Sequence, residues 1–201
     1  MLNRARVVVL VLAMVDPLAS LRGYGQDREP VRSQEQSRLV SARVGDVTRV
    51  DGDVWLKQRD ESDLQSLRIG RKLSAGDVVL TGAQGRAEWS LNPGNPGSYL
   101  QIAPHSQVSI YEESVDQMHF DIFQGEVFVI VGTFARGEAL ELDTPYALLT
   151  VRKRGRYRVR VAANNDTDAD VALGELRFVN SKGQTGRVTK HKHVRFFATK
   201  E

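Results

Sequence analysis

The stretch "GDVVLTGAQGRAEWSL", residues 76–91, decides how the rest of the chain is read. Three apolar residues lie between Gly-Asp and Thr-Gly, another glycine follows at 85, and apolar and polar residues then alternate. Short apolar runs penned between Gly, Asp and Thr describe strands that keep turning back on one another. Glycine reaches positive φ without steric cost, and Asp or Thr oxygens bond nearby backbone N–H groups. Gly76, Asp77, Thr81 and Gly82 are therefore read as structural corners. Beyond them, Ala87, Trp89 and Leu91 share one strand face, opposite Arg86, Glu88 and Ser90.

The same grammar extends in both directions. Upstream, "RVGDVTRVDGDVWLK" (43–57) carries Val44, Val47, Val50, Val54 and Leu56 around Asp51-Gly52, a dipeptide that favours tight hairpins. Downstream, "SYLQIAPHSQVSIY" (98–111) sets Leu100 and Ile102, then Val108 and Ile110, at alternate positions. "MHFDIFQGEVFVIVG" (118–132) reads as two strands joined at Gln124-Gly125, and Pro145 and Gly155 mark two further turns. Only "RDESDLQSLRIG" (59–70) departs from the pattern, and it reads as a long loop. The expected fold is all-β: a two-sheet sandwich or roll, or a short β-solenoid, built from many short strands.

The first residues follow a different rule. Arg4 and Arg6 precede a nine-residue apolar core, Val7 to Val15, which ends at Asp16-Pro17. Small residues follow at Gly23 and Gly25. This is the layout of a secretory signal peptide over 1–25, with cleavage expected between Gly25 and Gln26. The alternatives are an uncleaved anchor and a buried strand, and nine apolar residues fall short of the roughly 20 that span a bilayer. Residues 26–41 are polar and read as a flexible tether, leaving 42–201 as one β domain. Losing Arg4, Arg6, Arg22 and Asp16 with the leader lowers the net charge from +3 to +1, so general nucleic-acid binding is not expected. With no cysteine, disulfides, zinc-thiolate sites and cysteine nucleophiles are excluded.

Six segments in order resemble a FecR-type domain. They are "GDV" with "VDGDVWLK" (45–57), "IGRKLSAGDVVLTGAQGRAEWSL" (69–91), "SYLQIAPHSQVSI" (98–110), "FQGEVFV" (123–129), "LDTPYALLTVRKRGRYRVRV" (142–161) and "VALGELRFVN" (171–180). Where that family usually has Gly-Thr before the aromatic of its late strand, this chain has Gly155-Arg156. The resemblance implies an extracytoplasmic domain of a signalling protein. The family's namesake regulator adds a cytoplasmic anti-sigma segment and a membrane helix; here six residues precede the apolar stretch, so the expectation covers the extracytoplasmic domain alone.

Among chemistry-bearing residues, the arginines of "VRKRGRYRVRV" (151–161) form the leading candidate. On an unbroken strand Arg152, Arg154, Arg156, Arg158 and Arg160 share a face, a ladder of planar forks suited to carboxylate, phosphate or sulfate. The competing reading is an edge strand kept from aggregating by charge. Internal partners for the row would come from Glu138, Glu141 and Asp143. His191 and His193 are two residues apart but lack a third ligand, and His105 and His119 read as isolated on polar strand faces, so no metal is expected. No catalytic motif or cofactor fingerprint occurs. The expectation is a non-catalytic binding or sensor-type module of the bacterial envelope, its partner an envelope protein or an anionic envelope glycan. The rival is a carbohydrate-active enzyme with an exposed carboxylate pair. Two carboxylates in a pocket would favour that rival, and an open Arg- or aromatic-lined strand face would favour binding.

Overall fold

A computed structural model describes residues 45–91, 97–113, 117–134 and 138–198. The expected leader, the tether and the opening of the β domain lie outside them. Among the described residues there are fifteen strands and no helix, so none is long and apolar enough to cross a membrane.

In chain order the strands are β1 (Val47–Asp51), β2 (Val54–Lys57), β3 (Leu64–Ser66), β4 (Val78–Thr81), β5 (Arg86–Ser90), β6 (Tyr99–Ile102), β7 (Gln107–Glu113) and β8 (Gln117–Val131). They continue as β9 (Ala139–Thr144), β10 (Ala147–Val151), β11 (Gly155–Val161), β12 (Thr167–Leu173), β13 (Glu175–Asn180), β14 (Thr185–Thr189) and β15 (Lys192–Phe196). One long strand organises them. The first part of β8 pairs with β7 and β9, while its second part, from Gly125, pairs with β6 and β11. β8 thus belongs to two sheets. Sheet I runs β1-β5-β6-β8-β11-β12-β15, and sheet II runs β14-β13-β10-β9-β8-β7-β4-β2-β3.

The chain changes sheet at about half of the links between successive strands and once more within β8, which is why it needs turn residues so often. Gly52 (φ +63°) carries β1 into β2, and Gly174 (φ +100°) carries β12 into β13. At Gly125 (φ +98°) β8 crosses without breaking, so the expected pair of strands is one bent strand. Its neighbour there is Ser106, whose hydroxyl accepts the Glu126 N–H at 3.0 Å. Gly76 (φ +92°) opens the corner before β4, where the Asp77 carboxylate accepts N–H bonds from Ser74 (3.0 Å) and Arg59 (3.3 Å). Thr81 accepts the Ser106 N–H at 2.8 Å and donates to the Ala103 carbonyl at 2.7 Å, and Gly82 donates its N–H to the Asp53 carbonyl. Pro145 sits in the two-residue link between β9 and β10, closed by the Ala147 N–H donating to the Thr144 hydroxyl.

Two expectations need correction here. Gly155 is not in a turn: it is the buried first residue of β11, where a Cβ would meet the Leu173 carbonyl and the Tyr157 hydroxyl. Close packing, rather than positive φ, accounts for glycine at that position. The loop over 59–70 contains β3, which pairs with β2 through Trp55, Leu56 and Lys57.

The two sheets bury their facing sides against each other. Sheet I contributes Trp89, Leu100, Val127, Val129 and Val159, and sheet II contributes Leu56, Phe120, Leu140, Leu142 and Leu149. Edge-to-face rings cross between them at Trp89–Phe120 (5.3 Å) and Phe178–Phe196 (4.9 Å). Each such large apolar side chain, fully buried, contributes about 1.5–3 kcal/mol before chain entropy is counted. The alternation read from Ala87, Trp89, Leu91, Leu100, Ile102, Val108 and Ile110 is the inward face of this core.

Among the described residues, β8 and β9 form the one parallel pair. Parallel neighbours require a crossover, and the second half of β8, lying in the other sheet, supplies it.

Candidate functional site

The outward face of sheet I holds the arginines, but on different terms from an isolated row. β11 alternates strictly: Gly155, Tyr157, Val159 and Val161 are buried, and Arg156, Arg158 and Arg160 are exposed. Arg152 and Arg154 are not on this strand. They are exposed in the link where the chain passes from β10 in sheet II to β11 in sheet I. Nor is β11 an edge, since β8 and β12 flank it. Protection of a free edge therefore does not explain its charge.

Cross-strand register assigns each arginine its neighbours. Arg158 lies between Phe128 on β8 and Asp170 on β12, and its Nε donates to Asp170 Oδ2 at 3.0 Å. Glu126 Oε1 is 3.3 Å from the same nitrogen. Arg160 lies between Glu126 and Asp168. Asp168 in turn accepts from Arg195 on β15, at 2.6 Å from Nε and 3.1 Å from Nη2. The Arg195 hydrogen bonds, assisted by the charges of Arg195, Arg160 and Arg158, hold the Asp168 carboxyl below its usual range. The internal partners are thus Glu126, Asp168 and Asp170, on the strands beside β11, whereas Glu141 and Asp143 lie on β9 in sheet II.

Arg156 differs from Arg158 in making no ion pair among the described residues. It sits opposite Ile130, and the next residues along that face are Phe128 and, toward β6, Gln101 and Tyr99. Phe128 and Leu173 are each 37% exposed, too much for core residues. A shallow groove of about 530 Å³ runs along Gln101, Phe128, Ile130, Arg156, Arg158 and Asp170. A second, of about 570 Å³, continues it past Arg154, Arg156, Gly132 and Leu173. The surface therefore offers an apolar shelf with a cationic fork beside it. Chemically it suits an apolar side chain with a neighbouring carboxylate, held by the bidentate geometry that guanidinium allows.

A second cluster, on the outward face of sheet II, was not anticipated. Parallel pairing of β8 with β9 sets His119 beside Glu141 and Asp121 beside Asp143. His119 Nε2 lies 3.7 Å from Asp121 Oδ1, and Nδ1 lies 3.8 Å from Glu141 Oε2. Burial, partly offset by His119 and reinforced by Asp143, pushes the Asp121 carboxyl above its usual range. His119 is therefore not isolated. The spacing His-x-Asp on one strand and Glu-x-Asp on the other was the available signal, but only the register of two strands far apart in sequence brings them together.

The remaining histidines are dispersed. His105 is in the turn after β6 (φ +57°), not on a strand. His191 is in the turn before β15 (φ +63°), while His193 is on β15 opposite Asp170, so the two do not share a strand face.

An all-β domain of two sheets sharing a bent strand, with an open basic and aromatic outer face, defines the structural class. The chain belongs to the FecR protein family, whose family model matches residues 77–177. Two solved structures of a "putative anti-sigma factor" from Parabacteroides distasonis ATCC 8503, at 2.50 and 1.65 Å, are similar over part of their length. Identities are 13% and 12%, each with a TM-score of 0.49, covering 59% of this chain and 53% of the other. The chain thus matches about half the length of those proteins. A search of curated proteins finds no match.

Proposed function

We propose that this chain is a non-catalytic, extracytoplasmic sensor-type module of the bacterial envelope, and that it docks an envelope protein on the outer face of sheet I. The observation that carries this reading is Arg156. It lies beside the half-buried Ile130 and the exposed Phe128 at the junction of two grooves, with no ion pair to a described residue. Aromatic and arginine side chains dominate binding energy at protein interfaces, and this face pairs both with a partly neutralised surround. The basic start and short apolar core of residues 1–25 support export. An open strand face was also the arrangement expected of a binding module rather than a glycosidase, whose two carboxylates flank the bond they cut.

The reading is tested by immobilising the exported protein and its Phe128→Ala/Arg156→Gln variant and exposing both to envelope extract. The parent should retain a protein at low salt that the variant loses, while both melt within a few degrees of each other. Identical captures by the two forms would refute docking on this face. Capture of an acidic glycan in place of protein would refute the choice of partner.

A further inference from the structure

The cluster on sheet II has the composition and arrangement of a metal site. His119 and Asp121 are two residues apart on β8 and point outward together, beside Glu141 and Asp143 on β9. One ligand atom from each of His119, Asp121 and Asp143 lies within 4.8 Å of the others. Donors about 2.1 Å from a tetrahedral zinc ion stand about 3.4 Å apart, so the three need only close slightly around an ion.

The histidine's two nitrogens face different groups. Nε2 is the nitrogen toward Asp121, and Nδ1 is the one toward Glu141. Metal-bound imidazoles commonly direct the non-ligating nitrogen at a carboxylate, which fixes the ring's tautomer and orientation. Glu141 occupies that position.

Charge points the same way. Three carboxylates crowd one imidazole, and among the described residues no Lys or Arg makes an ion pair with Asp121, Glu141 or Asp143. The side chains of His119, Asp121 and Glu141 are only 17%, 23% and 20% exposed, so water screens them incompletely. On sheet I, by contrast, Asp168, Asp170 and Glu126 each stand beside an arginine. Opposite Asp121 on the other side is Ser109 of β7, a neutral hydroxyl that brings no cation. A surface that balanced its carboxylates with arginines on one sheet left these to something else.

We propose that His119 Nε2, Asp121 and Asp143 form a binding site for a divalent first-row transition metal ion, with Glu141 as the residue that orients the imidazole. One nitrogen and two carboxylate oxygens suit zinc or manganese better than calcium, which prefers six or more oxygens. Three protein ligands leave coordination positions on the outward side open to water or to an outside ligand. The site is independent of the docking face, being on the opposite sheet.

The experiment uses the exported protein freed of metal by chelator and dialysis, titrated calorimetrically with zinc chloride and, separately, with manganese and calcium chlorides. One zinc or manganese ion per chain should bind, with calcium at least tenfold weaker. Asp143→Asn and His119→Ala should each weaken binding at least tenfold, and Glu141→Gln by about tenfold, as for other residues that support a ligand. Circular dichroism checks that each variant is folded, and Asp121→Asn replaces any that is not. The His191→Ala/His193→Ala variant should bind as the parent does. Absence of binding at millimolar zinc would overturn the proposal, as would calcium binding equally well or loss of zinc only in the His191/His193 variant.

Discussion

Replacing Gly125 by alanine probes the point where β8 leaves one sheet for the other. Its φ of +98° is one that L-residues rarely adopt, and left-handed backbone costs a residue with a Cβ about 1–2 kcal/mol. The added methyl would overlap both Ser106 Oγ and Ser106 Cα. Because one of those atoms is backbone, relief requires the β6–β7 turn to move, an overpacking cost of about 1–3 kcal/mol. Movement of Ser106 also loosens the hydrogen bond from the Glu126 N–H, worth about 1 kcal/mol. The expected loss is about 3–6 kcal/mol, the sum of strain, overpacking and the bond. At about 2–4 °C per kcal/mol for a domain of this size, the melting temperature should fall by about 6–24 °C. Gly70→Ala is the matched control, since Gly70 has φ +78° but nothing within 4 Å of its Cβ position. It should lose the strain alone, about 1–2 kcal/mol. Urea unfolding of both variants measures the difference. If Gly125→Ala is no less stable than Gly70→Ala, the close crossing of β8 over Ser106 is refuted.

Asp77→Ala removes the acceptor for the Ser74 and Arg59 N–H groups and should cost about 1–3 kcal/mol in urea unfolding. Tyr157→Phe deletes a hydroxyl that donates to the Lys153 carbonyl at 2.9 Å; a loss of about 1 kcal/mol is expected, read from the unfolding midpoint. Arg158→Gln removes a half-exposed ion pair with Glu126 and Asp170 and should cost no more than about 1 kcal/mol, diminishing with salt. Asp168 gives a pH signature, because its carboxyl is held below the usual range by Arg195. A depressed folded-state pKa contributes stability above the unfolded-state value, and that stability is lost as pH falls through the folded-state value. Arg195→Gln should therefore narrow its deficit relative to the parent as the pH is taken below 4, as measured by melting in a buffer series.

The corners were readable because their chemistry is local. Asp77 bonds a residue three positions before it, and Gly52, Gly76 and Gly125 need positive φ whatever surrounds them. The inward alternation of Trp89, Leu100 and Ile110 was equally plain, since burial on one face imposes period two on each strand. What sequence concealed was pairing. The arginines of β11 look like edge protection until β8 and β12 are seen on either side of them. Arg152 and Arg154 continue the alternation but fall where the chain changes sheets, a break that Gly155 marks only from its far side and that the alternation itself hides. β3 escaped notice because Leu64, Gln65 and Ser66 are all exposed and joined to β2 through backbone, leaving no apolar pattern. His119 and Asp121 meet Glu141 and Asp143 through a parallel register across about twenty residues, which spacing alone does not specify.

Whether sheet I is the docking face is decided most directly by site-specific photo-crosslinking in the intact envelope. A photoreactive residue replacing Phe128, exposed on sheet I, is compared with one replacing Lys57, exposed on sheet II. Position 128 should yield a discrete crosslinked protein that disappears when Arg156 is also changed to Gln, and position 57 should yield none. A crosslink from position 57 with none from position 128 would contradict docking on sheet I.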